Sequence, residues 1–148
     1  MSTANGKSAT EILREDHAKM EKLFAQYKAT NDSYEKEDIT QALSLELHRH
    51  ILLEEQLFFP AVSQVMHADT YTDAAVRELD QAQLMMDKLQ RLCAAEDREK
   101  YDSMMGELKN CVEHHIRSEE KILPEVEHSA LDLMDLGKQF IAYKTGAM

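Results

Sequence analysis

The chain has no tryptophan, two cysteines, two prolines and four glycines, and each shortage excludes something. Two thiols without an export signal read as reduced residues, Cys93 and Cys111, rather than as a disulfide framework. So few glycines and prolines argue against an all-β or loop-rich fold. Basic residues are also scarce, 17 Lys and Arg against 28 Asp and Glu, for a formal charge of -11. That balance repels phosphates, which argues against nucleic acid or an anionic membrane surface as a partner. No apolar run is long enough to span a bilayer, and none at the start has the form of a signal peptide. A soluble, cytoplasmic protein is the expectation.

What the chain does have is Ala, Leu, Glu, Lys, Met and Gln, all strong helix formers. Its 148 residues suffice for one domain with a core of its own. Ser8 and Glu11 have the spacing of a capping box, and a first helix follows to about Thr30. A second helix is expected from near Asp38, with Pro60 kinking its last turn. A third is capped at Thr72 or Asp73 and carries residues through Cys93. A fourth starts near Asp97, and Ser129 can cap a fifth, shorter segment, Leu131 to Lys144. Short connections between long amphipathic helices predict an all-α, up-down-up-down antiparallel four-helix bundle with a short C-terminal extra helix. The expected divisions are a flexible tail at 1–9, the bundle at 10–128, and a C-terminal helical segment and tail at 129–148.

The alternating 3/4 spacing of an inward-facing seam can be traced through each helix. Helix one places 13, 17, 20, 24 and 27 inward; helix two places 43, 47, 50, 54, 57 and 61. Helix three gives 76, 79, 83, 86, 90 and 93, and helix four gives 108, 112, 115, 119, 122 and 126. The polar breaks in these apolar seams are His17, His50, Glu54, Gln83, His115 and Glu119. Uncompensated carboxylates inside a helical core cost several kcal/mol each, on the order of the penalty for burying a charge. A cation with imidazole and carboxylate ligands supplies the compensation. Glu54 and Glu119, from different helices, suit a bridging role, with Glu120 a rival to Glu119. His48, His67, His114 and His128 fall off the seam or at helix ends and read as ordinary polar residues.

Two stretches repeat the pattern: HILLEEQLFFP from His50 and HIRSEEKILP from His115, preceded by Asp16-His17. In these three elements the chain resembles the hemerythrin-like, or HHE cation-binding, domains over about residues 10 to 127. The resemblance implies two non-heme, carboxylate-bridged iron ions inside the bundle, binding or sensing dioxygen or a related small oxidant. It implies His17 and His50 as ligands of one iron, His115 of the other, and Glu54 and Glu119 as bridges. The departure lies on helix three, where the family usually offers histidine. Here the seam residue is Gln83, flanked by Asp80 and Asp87, and which of them takes that place is open. The expected role is binding or sensing rather than catalysis, with a possible homodimer. The alternatives are a peroxide- or nitric-oxide-detoxifying or iron-storing protein, or a metal-depleted helical interaction module.

Overall fold

A computed structural model describes residues 6–146 of the chain. The first helix, α1, spans Ala9–Lys28. Ser8 caps it with the expected box: its hydroxyl accepts from the Glu11 backbone while the Glu11 carboxylate accepts from the Ser8 N–H. Five residues of the 1–9 segment lie outside the described residues, but Ala9 is already fully buried against the bundle.

The second helix, α2, covers Ser33–Leu53 and begins at an Asp32 cap, five residues before the expected start. It then widens into one π-helical turn, Glu54–Phe58, before α3, Phe59–Met66. The Phe59 N–H reaches the Glu54 carbonyl, five residues back. This turn is how the helix accommodates Pro60, which has no N–H to donate and whose ring would strike the carbonyl four residues earlier. The extra residue also advances the buried face by one. The seam runs 43, 47, 50, 54 as expected, and then 58 and 62 are buried where 57 and 61 were anticipated.

The fourth helix, α4, spans Asp69–Leu89 from a cap at Ala68, four residues ahead of Thr72 and five ahead of Asp73. Its buried residues are Thr72, Ala75, Leu79, Ala82, Met86 and Leu89, a correction to the seam inferred through Val76 and Gln83. Two of the six are alanines, which a count of large apolar residues overlooks. Small side chains there let α4 lie close to α5, Arg98–Glu127. Along α5 the expected seam holds at all six positions, and Pro124 sits exposed in an otherwise continuous helix.

Helices α1, α2, α4 and α5 form a ring, each touching two others: α1 with α2 and α5, α4 with α2 and α5. This is the antiparallel four-helix bundle. The extra helix α6, Leu133–Lys144, is capped by Asp132, rather than Ser129, through the Asp135 N–H. It packs on α1, α2 and the π turn. Phe140, fully buried, meets Phe58 edge-on at 6.3 Å, a pair contributing roughly 0.5–1.5 kcal/mol beyond its area. Gly137 rests directly on the backbone of residues 7–9, so close that a Cβ would lie 2.2 Å from the Lys7 carbonyl oxygen. No helix among the described residues is long and apolar enough to cross a membrane.

Candidate metal centre

Five of the six polar seam residues meet at one place. His17, His50, His115 and Glu119 are all buried, and each offers one ligand atom within 4.8 Å of the others. The imidazole centroids of His17 and His50 are 5.3 Å apart, and those of His50 and His115 are 5.8 Å apart. Glu54, wholly inaccessible, places Oε1 at 3.0 Å from His50 Nε2 and 2.9 Å from His115 Nε2. Glu119 Oε1 lies 2.8 Å from His17 Nε2, and its Oε2 is 3.5 Å from His115 Nε2. The π turn begins at Glu54, so the backbone irregularity that fits the proline starts at a residue of the cluster. Such turns are frequent at functional sites.

The electrostatics follow from this crowding. Burial disfavours a charged His50, but the adjoining Glu54 carboxylate, the hydrogen bond to Asp16 and the Glu119 charge outweigh it and push the imidazole up to about 10. Burial opposes His115 likewise, and the Glu54 and Glu119 charges raise it well above the usual range. Glu54 resists the cost of its own burial because two imidazolium groups face it, and it is held well below the ordinary carboxylate range. Glu119 goes the other way. Desolvation and the neighbouring Glu54 charge push it up to about 7.

The polar atoms are close without being mutually satisfied. His50 Nε2 and Glu54 Oε2 are buried with no hydrogen-bond partner of acceptable geometry, although Nε2 is 3.0 Å from Glu54 Oε1. Buried polar atoms normally find a partner. His17 Nε2 and His115 Nε2 bond to Glu119 and Glu54, while His50 Nε2 and Glu54 Oε2 are left over, and imidazole with carboxylate suits a first-row divalent metal. The cluster can hold a metal ion.

Outside the cluster, each imidazole turns its second nitrogen to a carboxylate. His50 Nδ1 is 3.2 Å from Asp16 Oδ2 and His17 Nδ1 is 2.6 Å from Glu120 Oε2; His115 Nδ1 faces Glu78 Oε1 at 3.6 Å, beyond hydrogen-bond reach, and is buried without a partner. Partners of this kind fix the orientation of a ligating ring. Glu119 therefore contacts the cluster directly, while its rival Glu120 reaches only the outer nitrogen of His17.

Gln83 is not among the residues brought together. Its amide nitrogen donates to Asp87 at 3.0 Å, and its amide oxygen is buried without a partner. It follows Glu78 by five residues, about 140° further round the helix at 3.6 residues per turn. Asp80 is one turn away; burial and the neighbouring Asp80 carboxylate push Glu55 up to about 7. The residue of α4 that reaches the cluster is Tyr71, whose hydroxyl donates to Glu119 Oε2 at 3.2 Å. Because α4 begins at Asp69, Tyr71 stands in its first turn; with a cap at Thr72 or Asp73 it would fall in the loop. The signal that could have found it is the 3/4 run Tyr71, Ala75, Glu78, Ala82. His48, His67, His114 and His128 are exposed as expected, and His114 pairs with Glu78.

Residues 8–126 match the model of the Hemerythrin HHE cation binding domain. The chain belongs to this family. The hemerythrin HHE fold is also seen in a crystal structure of a hemerythrin HHE cation binding domain-containing protein from Mycobacterium kansasii. That structure is 24% identical, covers 95% of this chain and 90% of its own, and superposes with a TM-score of 0.77. No curated protein sequence matches the chain significantly. This hemerythrin HHE domain carries its imidazole and carboxylate cluster on α1, α2, the π turn and α5 and supplies a phenol from α4.

Proposed function

We propose that this protein is a non-heme iron protein that binds or senses dioxygen or a related small oxidant at a carboxylate-bridged pair of irons. The observation that carries this reading is the convergence of three buried imidazoles and two buried carboxylates, with His50 Nε2 and Glu54 Oε2 left without partners. When bound, ferrous iron would supply the electrons that a small oxidant takes up; the side chains supply everything else.

His17 and His50 offer nitrogen donors held by Glu120 and Asp16 in turn, and His115 offers a third with Glu78 facing its outer nitrogen. Glu54 and Glu119 lie between imidazoles of different helices and would be the carboxylates shared by the two ions. Tyr71 takes the role expected of a helix-three residue. Its hydroxyl sits on Glu119 Oε2, where it can give or hold a proton or meet the second cation. Met20, Met86, Leu47 and Val112, all at most 1% exposed, belong to the surrounding core that excludes water. Excluding water strengthens each electrostatic contact within it.

The test is iron per chain after purification from iron-supplied cells, with an optical spectrum recorded under nitrogen and then under air. Two irons and a visible absorption that changes with oxygen are expected. A protein that takes up no iron, and whose melting is unaltered by a chelator, would end this reading.

A further inference from the structure

We propose that Lys144, at the end of the C-terminal helix, is a positioning residue for the metal centre that acts through Asp16 on His50. The inference rests on the metal-holding reading above and adds a part that lies outside the four-helix core.

Asp16 is almost inaccessible and uses its two oxygens on opposite sides. Oδ2 takes His50 Nδ1 at 3.2 Å, and Oδ1 takes the Lys144 ammonium at 2.5 Å. With Nδ1 engaged, the ring presents Nε2 to Glu54 and Glu119, at 3.0 and 3.8 Å. A buried carboxylate held by a single N–H is costly and free to turn; a fixed cation on its far oxygen removes both problems.

The other two outer carboxylates have neighbours too. Glu120 has the Arg14 guanidinium at 3.5 Å, and Glu78 has the His114 imidazole. Arg14 and His114 come from α1 and α5, within the bundle. Lys144 comes from 128 residues away along the chain, on a helix whose placement depends on separate contacts. Phe140 packs on Phe58, and Gly137 abuts the backbone of residues 7–9. Helix α6 touches α1, α2 and the π turn, the segments that carry Asp16, His17, His50 and Glu54. Docking of α6 and the aim of His50 are thereby one structural event.

The experiment compares wild type, Lys144→Met, Lys144→Arg and Lys138→Met, the last an exposed lysine of the same helix. Each is loaded anaerobically with ferrous iron and challenged with excess chelator. Lys144→Met should release iron about tenfold faster, the lower end of what loss of an outer partner costs. Lys144→Arg should restore retention to within about twofold of wild type, and Lys138→Met should not differ from it. Asp16→Asn should release iron fast as well, and adding Lys144→Met to it should change little, because the lysine acts through that carboxylate. Equal retention in wild type and Lys144→Met, or additive effects in the double variant, overturns the proposal. A second arm needs no iron: the 15N signal of His50 Nδ1 in the metal-free protein should shift in Lys144→Met and not in Lys138→Met. No shift overturns the role of the lysine. A wild type that binds no iron counts against the proposed function instead.

Discussion

Glu54→Gln tests the cluster most directly, because it removes one charge and almost no volume. In the metal-free protein the Glu54 carboxylate is fully buried between His50 Nε2 and His115 Nε2, at 3.0 and 2.9 Å. Removing one member of a buried ion pair costs about 3–5 kcal/mol, since the partner charge is left uncompensated. For a chain of 148 residues, about 2–4 °C of melting temperature per kcal/mol gives a fall on the order of 10 °C. The effect must depend on pH, with a definite sign. The His50 imidazole is raised to about 10, so its contribution is complete below the unfolded value near 6.5 and is lost as pH rises through about 10. Glu54 is depressed, so its contribution is present above about 4.5 and is lost as pH falls. The full penalty should therefore appear near pH 6. By pH 9.5, three units above the unfolded histidine value, wild type has itself lost about 4 kcal/mol at 1.36 per unit, and the gap between the proteins should nearly close. Melting followed by circular dichroism at the two pH values measures this. Equal melting at pH 6, or the same gap at both, would refute the reasoning. With iron supplied, the variant should also hold less metal per chain than wild type.

Two further substitutions probe residues that the fold brought into play. Tyr71→Phe leaves Glu119 Oε2 without its hydrogen-bond donor and should lower stability by about 1–3 kcal/mol. It should also alter the visible spectrum of the iron-loaded protein; an unchanged spectrum would mean that the phenol plays no part at the centre. Gly137→Ala places a methyl group 2.2 Å from the Lys7 carbonyl oxygen, which α6 can relieve only by moving. A loss of roughly 1–3 kcal/mol is expected, seen as a lower melting temperature. An unaffected melting curve would show that α6 does not need that close approach.

Much of the site could be read from the chain. His17, His50, Glu54, His115 and Glu119 fall at 3/4 spacing among apolar residues, and the helices are regular enough over those stretches for the spacing to determine direction. Along α1 and α5 every expected seam residue is buried. The reading weakens where the period is interrupted or the signal is small. Past Glu54 the π turn moves the seam to Phe58 and Val62, because proline forbids a regular turn and its sequence position does not say how the backbone will yield. On α4 the inward face is marked by Ala75 and Ala82, whose contribution is closeness rather than bulk, so Gln83 was placed on the seam and Tyr71 was passed over.

The sequence by itself determined an acidic, all-helical chain and the histidines and carboxylates able to hold a cation, since helical periodicity is local and buried charge is too costly to be incidental. Only the tertiary structure decided which helix-three residue meets Glu119 and which carboxylate orients each imidazole. It alone joined Lys144 to His50. Those contacts link residues far apart in the chain, and their geometry depends on how close the helices pack, which no spacing along one helix records.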